Sequence, residues 1–109
     1  MSWLLRDGEV LASLEVAADR SARRRGLLGR DALDGALLLT PARSVHSFGM
    51  RFPIDVAFCD QDLNVLRTVL LRRNRLTRVV LGARSVIEAE AGSFARWGLA
   101  TGDHLEVRD

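Results

Sequence analysis

The chain of 109 residues has no lysine and no tyrosine, and it contains one cysteine, two prolines and only 6% aromatic residues. A single cysteine cannot form an internal disulfide, which excludes a disulfide-stapled secreted scaffold. No stretch approaches the ~18 consecutive apolar residues of a membrane span. The N-terminus also lacks the ~7 to 15 apolar residues of a signal peptide. We therefore expect a cytoplasmic protein without a membrane segment.

The positive charge comes from arginine alone, since all sixteen basic residues are Arg against fourteen acidic ones, for a formal net charge of +2. The sequence pI of about 9.9 follows from the missing lysine and tyrosine, because few groups titrate between neutral pH and the pKa of arginine near ~12.5. The high pI is therefore weak evidence for a nucleic-acid-binding protein.

The composition is that of an ordinary globular protein, with 48% hydrophobic and 28% charged residues. A chain of this length buries one core and is too short for two. We find no linker, repeat or low-complexity segment, and we expect residues 1–109 to form a single domain.

Short apolar runs separated by turn residues dominate the chain and favour β-structure. Asp7-Gly8 between two apolar runs predicts a β-hairpin. A short helix is predicted from about Arg20 to Leu28 with Asp19 as its N-cap, with an earlier end at Gly26 as the alternative. A second helix is predicted from Ser93, as its cap, to Trp97. Further strands are predicted at 36–39, 54–59, 63–71, 85–90 and 104–108. The expected fold is mainly β with one or two short helices, a β-sandwich or barrel-like domain.

In the strand 54–59, the apolar residues Ile54, Val56 and Phe58 alternate with Asp55, Ala57 and Cys59. The period of two predicts that these sets lie on opposite faces. In the predicted strand 63–71, apolar residues stand at both odd and even positions, which predicts a strand covered on both of its faces.

Four blocks of the sequence recur in one known family. They are Arg23-x-x-Gly26-Leu27-Leu28-x-Arg30, the segment 35–38, the segment 48–55, and Ile87-Glu88 with the residues up to Asp103. From about residue 16 to 107 the chain resembles the domain of unknown function 192 family, which consists of small prokaryotic domains. The resemblance implies a mostly β, jelly-roll-like fold and no established general biochemical activity.

Asp55 is the first candidate site residue, because it is a carboxylate in an otherwise apolar strand and matches the central aspartate of the family. The alternative is a structural role in which it accepts backbone N–H bonds. Glu88 matches a second acidic position, and the two carboxylates would face one pocket if their strands were adjacent. His46 could join them as a proton carrier. The default interpretation of Glu88 is a solvated glutamate on a strand face beside an arginine. Arg23 and Arg30 are candidate partners for either carboxylate, and Met50, Arg51 and Phe48 complete the expected ligand-binding set.

Other reactive residues give weaker signals. Two histidines, His46 and His104, with one cysteine do not make a zinc-ligand set, so no metal and no cofactor are predicted. Cys59 is expected to be a small core residue rather than a nucleophile.

Between Leu63 and Ile87 there are six arginines and no acidic residue. The densest part contains Arg72, Arg73, Arg75 and Arg78, which suits an anionic ligand, nucleic acid or an acidic partner. The segment has no aromatic residue to stack on bases, so a solvated loop is the default interpretation.

Three functional hypotheses follow. The leading one is a non-enzymatic domain that binds a small polar or anionic ligand, or a protein partner, through a groove around residues 46–55. The second is an acid/base enzyme that uses His46, Asp55 and Glu88. The third is nucleic-acid or acidic-partner binding through the Arg72–Arg78 segment. The sequence predicts neither the ligand nor the oligomeric state.

Overall fold

A computed structural model describes all 109 residues and contains seven strands and two short helices. In chain order they are β1 (Ser2–Arg6), β2 (Glu9–Ala17), α1 (Arg20–Arg25), β3 (Ala36–Leu39), β4 (Ile54–Cys59), β5 (Val65–Leu71), β6 (Ser85–Glu90), α2 (Ser93–Trp97) and β7 (Leu105–Arg108).

Local sequence signals explain two of the connections. Asp7 and Gly8 have φ values of 52° and 79° and join β1 to β2, which confirms the predicted hairpin. Asp19 caps α1, because its carboxylate accepts a 2.7 Å hydrogen bond from the Ala22 amide. The helix ends at Gly26, whose φ of 48° leaves the helical region, so the prediction that it continues to Leu28 is wrong.

The strands form one sheet in the order β5-β4-β6-β3-β2-β1-β7, and only the β2–β3 pair is parallel. The two edge strands meet at one end, where Val65 N donates to Asp103 O at 2.8 Å and Leu105 N donates to Leu63 O at 2.9 Å. The sheet is therefore curled into a half-barrel, and the expected mainly β, barrel-like class is confirmed.

Two hydrophobic clusters pack on opposite faces of this sheet. The first, on what we call the enclosed face, receives side chains from all seven strands and from α2; it includes Leu4, Ala57, Ile87 and Phe94. The second, on what we call the outer face, includes Ile54, Val56 and Phe58 with side chains from the loops. The predicted division of β4 into two faces is confirmed.

The strand β5 differs from its prediction. It is an edge strand, and Leu66 and Leu70 are 36% and 56% exposed. Their exposure shows that β5 lacks the expected cover on both faces. Apolar residues at both odd and even positions of β5 therefore do not indicate a central strand.

Candidate functional site

A cavity of about 390 Å³ lies on the outer face, between α1, the end of β3 and the segment 41–50. We call it the Glu88 cavity. Its polar lining consists of Ser44, His46, Glu88 and the four arginines of α1. Apolar wall residues include Leu28, Leu39, Val45 and Met50. The volume is within the range of small-molecule sites.

Glu88 reaches this cavity because of its position in the sheet. It lies opposite Val56 on β4 and Leu37 on β3, so its side chain is on the outer face with theirs. The residue is only 1% exposed, so the default interpretation of a solvated strand-face glutamate is wrong, and its Oε1 atom is buried without a hydrogen-bond partner. Burial raises the pKa of this carboxyl from 4.5 to about 7. Such a group is costly to ionise, and its place in the cavity makes it the central feature of the site.

The arginines of α1 bring a concentrated positive charge to the same cavity. Arg20, Arg23, Arg24 and Arg25 all line it, and none of them forms an ion pair with an acidic residue. The Arg23 guanidinium instead donates to the carbonyl oxygens of Ala18 and Thr40. A short helix that presents four arginines without acidic partners is suited to an anion.

The C-terminal end of α1 lies over the Glu88 carboxyl. A Cβ atom placed on Gly26 would lie 3.7 Å from Glu88 Oε1. That distance is an ordinary van der Waals contact; glycine is favoured there because its φ of 48° is rarely adopted by residues with side chains. The helix stop thus positions the backbone above the buried carboxyl.

The segment 46–50 is held in place by the loop that carries the predicted arginine cluster. The Ser47 hydroxyl donates to the Arg72 carbonyl and accepts a 2.9 Å bond from the Arg75 amide. Arg73 Nε donates to the Met50 carbonyl at 2.9 Å. Part of the Arg72–Arg78 segment therefore supports the cavity wall from behind, while Arg78 lies outside the cavity.

Asp55 lies on the other face of the sheet. It pairs with Ala89, the neighbour of Glu88, so the two carboxylates point to opposite faces although their strands are adjacent. Asp55 Oδ2 accepts 3.0 Å hydrogen bonds from the amides of Gly92 and Phe94 at the start of α2. The N-cap position is Gly92, so the prediction that Ser93 caps α2 is wrong. Asp55 caps the helix from a neighbouring strand.

The predicted ligand-binding set is therefore divided. The cavity contains His46, Met50, Arg23 and Glu88, and it excludes Asp55. The shared pocket expected for Asp55 and Glu88 is not formed, because neighbouring residues of β6 face opposite sides of the sheet. The acid/base set of His46, Asp55 and Glu88 is consequently not assembled.

The remaining members of the set lie on the surface. Arg51 pairs with Asp31 at 2.6 Å, and Arg30 forms two bonds of 3.0 and 2.7 Å with Glu15, not with Asp55 or Glu88. Phe48 is 51% exposed, and its ring stacks on His46 with centroids 5.4 Å apart. None of these three lines the cavity.

The sequence shows Arg20, Arg23, Arg24 and Arg25 as a cluster, although only Arg23 belongs to the expected ligand-binding set. Arg20 and Arg24 are four residues apart, so the two share a face of the helix. What the sequence did not show is that this helix packs beside β6 and the 41–50 segment.

Cys59 and His104 do not contribute to the Glu88 cavity. The Cys59 thiol is fully buried, and burial, followed by the nearby Asp60 charge, raises its pKa to about 12. His104 Nε2 lies 3.0 Å from the Asp62 carbonyl oxygen. No three His, Cys, Asp or Glu side chains are grouped so as to hold a metal ion. No helix is long and apolar enough to span a membrane.

The curled sheet and its two short helices define a small, mainly β domain of half-barrel architecture. The chain belongs to the DUF192 family, described as "Uncharacterized ACR", whose model matches residues 3–107. No curated protein matches the sequence.

Two solved structures have the same fold. A protein of unknown function from Novosphingobium aromaticivorans is 18% identical, with a TM-score of 0.80, and the match covers 96% of this chain and 82% of that one. A candidate transcription regulator from Sinorhizobium meliloti is 23% identical, with a TM-score of 0.79, and the match covers 97% of this chain and 91% of that one. At these identities the likeness concerns the fold alone.

Proposed function

We propose that this protein binds a small anionic ligand in the Glu88 cavity. One observation carries the proposal: a ligand-sized cavity combines an almost fully buried carboxyl that has no partner with four arginines that have no acidic partner. Pockets that bind small molecules typically pair an apolar wall with a few convergent polar groups.

The charge at the cavity mouth favours an anion. Arginine forms bidentate hydrogen bonds with carboxylate and phosphate groups, and these bonds are stronger than those between neutral groups. Elsewhere, Arg6, Arg30, Arg51 and Arg108 are paired with acidic residues, and the other arginines outside α1 also form no ion pair; those of α1 differ because they line one cavity together. Arg23 already donates to two backbone carbonyls, whereas Arg20, Arg24 and Arg25 form no ion pair and are free for an external anion.

The position of the motif residues supports the same site. Arg23 and Gly26 come from the first block that carries the family resemblance, Met50 from the third and Glu88 from the fourth. All four line one cavity, although they are far apart in the sequence. A packing role for each residue separately would not require them to converge on an open space.

The test compares two double variants that remove the same charge. R20A/R24A takes two exposed arginines from the cavity, and R72A/R78A takes two exposed arginines from outside it. Binding of succinate and inorganic phosphate is measured by isothermal titration calorimetry. We expect R20A/R24A to weaken binding at least about tenfold and R72A/R78A to leave it nearly unchanged. Equal losses in both variants, or no binding to the unmodified protein, would contradict the proposal.

A further inference from the structure

We infer that the ligand of the Glu88 cavity is an anion that also carries a hydrogen-bond donor, a hydroxyl or ammonium group, which binds the Glu88 carboxylate. This inference rests on the proposed function, and it assigns Glu88 as the residue that determines specificity. Arginines recognise the anionic end of the ligand, and Glu88 recognises the donor.

No group of the protein donates a hydrogen bond to the Glu88 carboxyl. The residues opposite Glu88 on the two neighbouring strands are Val56 and Leu37, both apolar. Nearby amides are already used, since Gly26 N donates to Ala22 O and Leu28 N donates to Arg25 O, each at 2.9 Å. Oε1 is left without a partner. An ionised carboxylate at this depth needs hydrogen bonds from another source.

No arginine of the protein forms an ion pair with Glu88. The Arg23 side chain donates to backbone carbonyls, and no cation of the protein lies within ion-pair distance of the Glu88 carboxylate. The acidic and basic halves of the cavity are therefore both available to a bound molecule.

The charges of the cavity restrict the ligand. A simple cation would be repelled by the four arginines at the mouth, although it would suit Glu88. A simple anion would suit the arginines, but it would bring acceptor oxygens towards a carboxyl that needs a donor. A molecule with an anionic group and a neighbouring hydroxyl or ammonium satisfies both halves.

Succinate, malate and aspartate form a matched series for the test, because they differ mainly at one carbon, which carries hydrogen, hydroxyl or ammonium. Affinities are measured by calorimetry at pH 8.5, where Glu88 is ionised. We expect malate or aspartate to bind at least about tenfold more tightly than succinate. Which of the two binds more tightly identifies the donor as a hydroxyl or an ammonium group.

Glu88→Gln is the decisive variant, since it keeps the shape of the side chain and removes the charge. We expect the preference over succinate to fall to less than about threefold, while succinate itself still binds through the arginines. If the unmodified protein binds succinate as tightly as both relatives, or if E88Q keeps the preference, the inference is wrong while the proposed function stands. If none of the three binds in a manner that depends on Arg20 and Arg24, both are wrong.

The pH dependence of ligand affinity distinguishes the inference from the opposite arrangement, in which a protonated Glu88 donates a hydrogen bond to the anion. Donor recognition predicts that malate or aspartate binds more tightly at pH 8.5 than at pH 6, and that E88Q loses this trend. The opposite trend would overturn the inference. The other charged or titratable groups that line the cavity are His46 and the arginines of α1. A His46→Gln control should keep the trend.

Discussion

Replacing Glu88 by glutamine should stabilise the ligand-free protein at alkaline pH, because it removes a charge that the fold has to bury. The pKa of the carboxyl is about 7 in the folded chain, against an ordinary value of 4.5 that applies after unfolding. The folded state therefore holds its proton more tightly. The stability that this proton confers is complete below about pH 4.5 and is lost as the pH rises through 7.

The size of the effect follows from the same two values. Each pKa unit corresponds to about 1.4 kcal/mol, so ionising Glu88 removes about 3 kcal/mol of folding stability over the whole pH window. A loss of this size is a large part of the stability of a small domain. The amide of glutamine does not titrate, so the stability of the variant should not show this pH-dependent loss.

Urea unfolding of both proteins at pH 5 and pH 8.5 measures the difference. We expect E88Q to gain stability relative to the unmodified protein by about 2 to 3 kcal/mol between these two pH values. Glu106→Gln, which removes an exposed carboxylate beside Arg108, is the control for the loss of one negative charge. Stability curves that run parallel for E88Q and the unmodified protein would refute the assignment of a buried, unpartnered carboxyl.

Three further predictions concern residues outside the cavity. Asp55→Ala should lower the free energy of unfolding by about 2 kcal/mol, because the amides of Gly92 and Phe94 lose their hydrogen-bond acceptor. Succinate affinity should stay within about twofold. A large loss of affinity in a folded protein would contradict the structural role of Asp55. The Cys59 thiol should react with a disulfide reagent at pH 8 only after unfolding, and rapid reaction of the native protein would disprove its burial. Arg30→Ala should cost less than about 1 kcal/mol in urea unfolding, because the Arg30 and Glu15 side chains are 38% and 54% exposed; a larger loss would show that the pair is stronger than a surface ion pair.

The sequence predicts the local structure of this protein well. The Asp7-Gly8 turn and the alternation of β4 are short-range patterns, and each is confirmed. The end of α1 is also set locally, at Gly26, two residues before the predicted end at Leu28. These features depend on residues that are close together in the chain.

The candidate site depends on long-range pairing, which the sequence alone does not determine. Asp55 and Glu88 both stand in predicted strands, and the strands are indeed neighbours. The register places Glu88 opposite Val56 rather than Asp55, and a shift of one residue reverses the face of a side chain. For this reason the same two carboxylates have different surroundings: Asp55 caps a helix, and Glu88 is left unpartnered in a cavity with α1.

The most direct test of the account is an NMR titration of the side-chain carboxyl carbons in protein labelled with ¹³C-glutamate. The chain contains five glutamates, which makes the assignment of Glu88 by comparison with E88Q practical. We predict that the Glu88 signal titrates near pH 7 in the free protein, and that saturation with the preferred member of the malate and aspartate pair moves its midpoint to lower pH. Titration of Glu88 below about pH 5 in the free protein, or a midpoint that rises on binding, would contradict the account.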